Sequence, residues 1–286
     1  MLSERLAANV AWLFSELPWP DRFAAAREVG FGAVEFPWPD DSAVTVEAVR
    51  SANLRVALLN MPAGALAAGE RGWPNDPSRV REWRDAFAEA LEMAHDLGCP
   101  TVNVLAGNAV PGVARPTQLA CLQENLGWAL APARDAGVTL VTELLNREEN
   151  PEYLLVTLDD AEPLLESLAV RGWRLQLDCY HLGLTEPDVP AAIRRAGERI
   201  GHIQVADLPG RHEPYSGRLD WDEIGSALDQ VGYAGFVGCE YTPLAGLGWT
   251  ERLPFASAGV ASAPPGTTGR RPAHPPPRRT GSPAGR

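Results

Sequence analysis

Eight short apolar, β-rich runs recur along the chain: Leu6–Leu13, Ala33–Phe36, Val56–Met61, Thr101–Ala106, Thr139–Leu144, Arg174–Asp178, His202–Ala206 and Phe236–Tyr241. Longer segments of helical pattern separate them, for example Ser78–Leu97 and Pro116–Ala136. Within the first, Phe87, Leu91, Ala94 and Leu97 recur at three- and four-residue steps, which marks one helix face. Gly30, Gly98, Gly137 and Gly172 each stand between a helical segment and the next strand, where a left-handed residue ends a helix. Strands that alternate with helices predict a parallel sheet covered on its outside. Eight such units in about 250 residues predict an α/β chain closed into a (β/α)8 TIM barrel. An open doubly wound sheet is the structural rival, and the lack of a Gly-rich turn after the first run argues against it.

The barrel is expected over residues 1–255. From Ala256 to Arg286 the chain is mostly Ala, Gly, Pro, Ser, Thr and Arg, without an acidic residue. Such a tail cannot bury enough apolar surface to offset chain entropy, so it is expected to be disordered. No stretch approaches the ~20 apolar residues of a membrane span. Met1-Leu2-Ser3-Glu4-Arg5 has no secretion pattern, so a cytoplasmic address is expected. The net charge of -12 repels phosphate backbones and argues against a nucleic-acid partner. All 25 basic residues are Arg. Without Lys, Schiff-base chemistry on a lysine amine and the lysine of a phosphate-binding P-loop are excluded. Cys99, Cys121, Cys179 and Cys239 show no C-x-x-C spacing and read as buried or half-buried reduced thiols.

Functional groups of an eightfold barrel sit at the C-terminal ends of its strands. The fifth run ends in Val141-Thr142-Glu143 and the sixth in Leu177-Asp178. The seventh contains His202-Ile203-Gln204, and the eighth ends in Gly238-Cys239-Glu240. Taken singly, a carboxylate that ends a strand is as readily a helix N-cap or a partner of Arg. Four oxygen-bearing side chains on consecutive strands share one rim, which independent caps have no reason to do. Three carboxylates buried together need either raised pKa values or a cation. An all-oxygen set, Glu143, Asp178, Gln204 and Glu240, favours Mg2+ or Mn2+ over zinc or copper.

Several motifs then resemble the hydroxypyruvate isomerase family. They are Met61-Pro62-Ala63-Gly64 with Ala67-Ala68-Gly69-Glu70-Arg71-Gly72, Leu177-Asp178-Cys179-Tyr180-His181, Gly201-His202-Ile203-Gln204-Val205-Ala206-Asp207, and Gly238-Cys239-Glu240-Tyr241. The resemblance runs from about Leu6 to Trp249. It implies a xylose isomerase-like TIM barrel and carries four metal ligands onto the residues that the rim picks out. It implies that Glu143 and Glu240 are the proton-transferring pair, and that Arg211 stands at a position suited to a substrate carboxylate. His212, and Leu59 before Asn60, depart from the family pattern, outside the ligand set, and bear on substrate choice.

The activity so implied is interconversion of hydroxypyruvate and tartronate semialdehyde, by proton transfer through an enediolate. The partner is a small hydroxy-oxo acid; a homo-oligomer is left open. His181 is read either as a donor to a substrate oxygen or as a group that orients Asp178. His202 is expected to be structural. Arg71 can close over substrate, with a surface ion pair to Glu70 as the plainer reading. Trp12 is read as packing or as a pocket wall.

Three rivals stand beside this activity. A 2-oxotetronate isomerase shares the ligand set and differs in the pocket. A sugar epimerase or a phosphodiester-cleaving enzyme on the same barrel is the second. The similar epimerases usually place His where this chain has Gln204, and five His in all argue against a trinuclear site. The third is a non-catalytic barrel, against which the four-residue rim speaks.

Overall fold

The computed structural model describes residues 2–244 and 248–252. The segment expected to be a disordered tail lies outside the described residues. Strands β1 (Leu6–Asn9), β2 (Ala33–Phe36), β3 (Arg55–Asn60), β4 (Thr101–Asn103), β5 (Thr139–Glu143), β6 (Arg174–Asp178), β7 (Ile200–Val205) and β8 (Val237–Cys239) pair in chain order. They close into a parallel barrel, β8 returning to β1. All eight apolar runs therefore hold a strand. The first is shorter than its run, because the chain turns at Asn9: its carbonyl accepts from Leu13 N at 2.9 Å and its side chain from Ala11 N at 3.2 Å.

The connecting helices are α1 (Trp19–Val29), α2 (Ser42–Ser51), α3 (Val80–Leu97), α4 (Arg115–Asp135), α5 (Leu158–Leu168), α6 (Cys179–Thr185), α7 (Val189–Ala196) and α8 (Trp221–Gln230). Their starts follow local chemistry. Asp41, Asp188 and Asp220 each accept a backbone N–H of the first turn, and Thr157 with Asp160 forms a capping box. Gly30 and Gly172, at φ 110° and 106°, close their helical segments in the left-handed region as expected. The buried face of α3 is centred on Trp83, Phe87, Ala90 and Ala94, and Leu91 and Leu97 flank it only partly buried. The helix is therefore rotated relative to the stripe that the sequence suggests, because Trp83 and Ala90 take the centre.

Two register irregularities fall just before Glu35 in β2 and just before Gln176 in β6. A bulge re-aims the side chain that follows it. Both residues are buried polar groups. Beneath them Ala7, Ala33 and Ala57 pack with Phe236 as a small apolar layer. Small residues there fill the narrow base of the barrel and leave the level above to polar groups. No described helix is long and apolar enough to cross a membrane.

Candidate active site

Above the alanine layer the interior is polar and almost entirely buried. Glu35, with no exposed surface, is its centre. Its carboxylate accepts from Asn9 Nδ2 at 3.1 Å and Gln204 Nε2 at 2.7 Å, and stands 2.6 Å from His202 Nε2. These contacts span β1, β2 and β7 and exist only because the sheet is closed. Asn9 and Gln204 pass the network upward, both donating to Glu240 Oε2, Asn9 at 3.0 Å. Gln204 Oε1 accepts from Gln176 Nε2 at 2.6 Å. On the opposite wall Asn103 Nδ2 donates to Glu143 Oε2 at 3.2 Å and to Asn60 Oδ1 at 3.1 Å.

A cavity of about 440 Å³ opens over this layer at the C-terminal ends of the strands. Glu143, Glu240, His181, Arg211, Arg71 and Trp12 are among the residues that line it. The Arg211 guanidinium lies between Asp178 and Glu240, with Nη2 donating to Asp178 Oδ2 at 2.8 Å and Glu240 Oε1 at 2.5 Å. Glu149 Oε2 stands 3.8 Å from Nη1. The rings of Trp12 and Tyr180 flank the cation, 4.3 and 4.8 Å from Cζ to the ring centres, an arrangement that aromatic faces favour electrostatically. Arg211 itself sits at φ 56°. Its loop is held from below by the Asp207 carboxylate, which accepts from Leu208 N, Gly217 N, Leu219 N and Trp221 Nε1 at 2.7 to 3.0 Å. Four donors on one buried carboxylate make that loop a fixed platform.

One guanidinium faces two buried acids, Glu143 and Asp178, and the partly buried Glu240, so the acids are not fully compensated. Burial, then the neighbouring Asp178 charge, pushes Glu143 up to about 8. Burial raises Glu240 well above the usual carboxylate range although Arg211 opposes it. Asp178 is raised by burial against Arg211 and the Tyr180 N–H. That N–H, 2.9 Å from Asp178 Oδ1, is the start of α6, so Asp178 is both a helix cap and a member of the site.

His181 stands on the first turn of α6, its Nε2 3.7 Å from Asp178 Oδ2 and 3.9 Å from Glu143 Oε1. Burial first, then Arg211 and Arg71, push its pKa well below the ordinary value, so the ring is neutral. Asn146 fixes which nitrogen carries the proton. Its Oδ1 accepts from Glu149 N at 2.9 Å, which leaves Nδ2 to face His181 Nδ1 at 2.6 Å, and the Asn146 backbone N–H adds a second donor at 3.3 Å. Nδ1 therefore accepts, and Nε2–H points toward the carboxylates.

Glu143, Asp178 and His181 offer ligand atoms that all lie within 4.8 Å of one another, all buried, and can hold a metal ion. Of the four residues picked from sequence, Glu143 and Asp178 fall in this group. Glu240 joins through Arg211, and Gln204 through its bonds to Glu240 and Gln176. Arg71 is not paired with Glu70: it donates from Nε to Asn150 Oδ1 at 2.7 Å and from Nη1 to the Leu66 and Glu70 carbonyls. The Glu70 carboxylate turns instead to Ala65 N and Arg79. Sequence reasoning did not single out Glu35, Asn9, Asn103 or Asn146. The usable signal was a lone acid or amide inside an apolar strand, as in Val34-Glu35-Phe36 and Val102-Asn103-Val104.

Three comparisons bear on this site. Residues 23–253 match the family described as xylose isomerase-like TIM barrel. A 2-oxo-tetronate isomerase of Cupriavidus necator is 39% identical over 253 residues, 86% of this chain and 97% of that protein. A hydroxypyruvate isomerase of Escherichia coli is 34% identical over 86% of this chain and 98% of its own length. Among solved structures, a family 2 AP endonuclease from Brucella melitensis superposes with a TM-score of 0.82 at 36% identity, covering 88% of this chain and 99% of that one.

Proposed function

The chain belongs to the xylose isomerase-like TIM barrel family, and from that premise we propose that it is an aldose–ketose type isomerase that interconverts hydroxypyruvate and tartronate semialdehyde. The relatives named as hydroxypyruvate and 2-oxo-tetronate isomerases support the isomerase class. The observation that carries the reading is the convergence of Asp178 and Glu240 on one guanidinium, with a Glu143 oxygen within 4.8 Å of Asp178, beneath a cavity of about 440 Å³. A 2-oxotetronate isomerase, with one more carbon in the substrate, is the second reading, and the first relative above favours it.

The donor set fits a divalent cation. The buried Glu143 and Asp178 and the partly buried Glu240 exceed the single guanidinium among them, and Glu143 and Asp178 offer oxygens beside the His181 nitrogen. Glu143, Asp178, Gln204 and Glu240 would hold it, with Mg2+ or Mn2+ matching the oxygen donors. When bound, such an ion stabilises negative charge that develops on adjacent substrate oxygens.

The side chains supply the proton chemistry. Without a cation, burial and the Asp178 charge raise Glu143 to about 8; beside the cation it stands as the carboxylate placed to take a proton from carbon and return one. Glu240 faces it as the second member of the pair. The His181 Nε2–H donates to a substrate oxygen without competing as a base, because the ring stays neutral. Asn103 holds Glu143 while Asn9 and Gln204 hold Glu240, which fixes both carboxylates before substrate arrives.

The test is turnover of hydroxypyruvate and of a four-carbon 2-oxo acid with added Mg2+ or Mn2+, for the wild type and for Glu143→Gln and Glu240→Gln. Each variant is expected to lose at least ~100-fold in kcat. Wild-type turnover in both would remove the proton-transfer assignment.

A further inference from the structure

Two guanidinia line the cavity, and their surroundings differ in one respect. Arg211 has carboxylates of Asp178, Glu240 and Glu149 within 4.0 Å. Arg71 has none among the described residues. Its Nε is bound to the Asn150 amide oxygen, and both Nη1 hydrogens go to main-chain carbonyls at 2.8 and 3.1 Å. These are neutral acceptors, so the charge of Arg71 stays unmatched. Nη2 bonds to nothing among the described residues. The bond to Arg71 Nε also fixes the Asn150 amide, whose Nδ2 is a second donor without a described partner.

The peptide unit that follows Arg71 is held on both of its edges. Gly107 N donates to the Arg71 carbonyl at 3.1 Å, and Gly72 N to the Ala63 carbonyl at 2.8 Å. Gly72 lies at φ 81°, and a Cβ there would stand 2.8 Å from the Leu105 carbonyl oxygen. The main chain just after Arg71 thus runs against the segment that follows β4, where only glycine fits at position 72. The guanidinium is presented by a rigid loop with its orientation already set.

We propose that Arg71, with Asn150 Nδ2 beside it, binds the carboxylate of the substrate, and that Arg211 is the internal counter-ion of Asp178 and Glu240. An anion brought to Arg211 meets three carboxyl groups already within 4.0 Å of the guanidinium, whereas one brought to Arg71 meets a guanidinium with no carboxylate that near among the described residues. A charge-assisted bond to a guanidinium is also the stronger kind of recognition. The identity of the substrate rests on the isomerase reading above; the anion site does not.

Calorimetric binding of D-glycerate and of its uncharged isostere glyceramide, with saturating Mg2+ present, tests the assignment. The wild type is expected to prefer glycerate by at least ~30-fold, the scale of one charge-assisted hydrogen bond. Arg71→Gln should reduce that preference to within ~3-fold, and Arg211→Gln should keep it. Asn150→Asp, which gives Arg71 the counter-ion it lacks, should abolish the preference from a different position and covers the case in which Arg71→Gln does not fold. No preference in the wild type, a preference retained by both Arg71→Gln and Asn150→Asp, or one lost only in Arg211→Gln would overturn the proposal. Hydroxypyruvate turnover is measured alongside. A wild type that binds glycerate through Arg71 yet does not isomerise hydroxypyruvate sinks the isomerase reading and leaves the anion site standing.

Discussion

Gly238 leaves the space that the Glu35 carboxylate fills. An added Cβ at 238 would run into both carboxylate oxygens of Glu35. Glu35 in turn holds Gln204 and Asn9, and these hold Glu240. The buried acid is therefore a positioning residue two bonds removed from the cavity.

Two substitutions separate space from charge here. Gly238→Ala is expected to displace the carboxylate and lower stability by about 1–3 kcal/mol, the usual cost of overpacking. Glu35→Gln keeps the volume but puts a donor where His202, Asn9 and Gln204 all expect an acceptor, leaving buried groups unpaired. We expect both to reduce kcat by at least ~10-fold with KM nearly unchanged, since neither residue lines the cavity. Urea unfolding and steady-state kinetics check this. A Glu35→Gln protein with wild-type kcat would show that Glu240 is held without the network.

The metal-depleted protein should lose stability as pH rises from about 7 to about 8. Glu143 is raised from 4.5 to about 8 in the folded state. The folded protein then keeps a proton that the unfolded chain has released. Stability falls wherever the folded state binds more protons, so the slope is negative until pH passes the folded value. Asp178 and Glu240 are shifted the same way. His181, shifted downward, gives the opposite slope at lower pH; the window near 7 to 8 belongs to the carboxyls. Thermal melts in chelator at about pH 7 and pH 8, repeated with Mn2+, provide the measurement. A divalent ion should displace the retained protons and cancel the decline. Equal melting temperatures in all four conditions would count against uncompensated acids at the rim.

Eight strands, their order and the rim residues at their ends were all legible, because alternation of apolar runs with helices leaves few architectures. Glu35 was not, although three side chains converge on its carboxylate. It lies in the middle of the run Ala33–Phe36, and its partners are 26, 167 and 169 residues away, on strands that meet only through barrel closure. Pairing of that kind leaves no periodic trace. Asp178 was read as an alternative between helix cap and site member, and the structure makes it both, one oxygen for each. The pairing of Arg71 was missed for a different reason: Glu70 is its neighbour in sequence, but Asn150 reaches it from the loop after β5.

The His181 tautomer yields a third expectation. Asn146→Asp replaces the donor at Nδ1 with a carboxylate, which draws the ring proton to Nδ1 and raises the basicity of His181. Nε2 then no longer donates toward the site. Imidazole nitrogen NMR should show Nδ1 protonated, and kcat should fall by ~10-fold or more. A variant with the altered tautomer and unchanged kcat would exclude the Nε2–H as a donor to substrate.

Thiol reactivity should sort by burial. Cys99, Cys179 and Cys239 are buried and pushed upward by desolvation, Cys99 to about 12, and Cys121 is only half-buried. Below about pH 9 all of them hold their protons, and a protonated buried thiol is a poor nucleophile. Native protein treated with a disulfide reagent at about pH 8 should modify Cys121 alone, with the others reacting only after unfolding. Rapid native modification of Cys179 would mean that α6 opens.

The start of that helix is tied to the Arg211 cluster through Asp178. Because one Asp178 oxygen seats the opening turn of α6 and the other meets Arg211, removing the carboxylate erases two functions at once. An inactive Asp178→Ala protein could reflect a frayed 179–185 segment that carries His181 out of reach, with the chemistry itself unharmed. Asp178→Asn, which keeps an oxygen for the Tyr180 N–H, is the substitution from which the loss of charge can be read by itself.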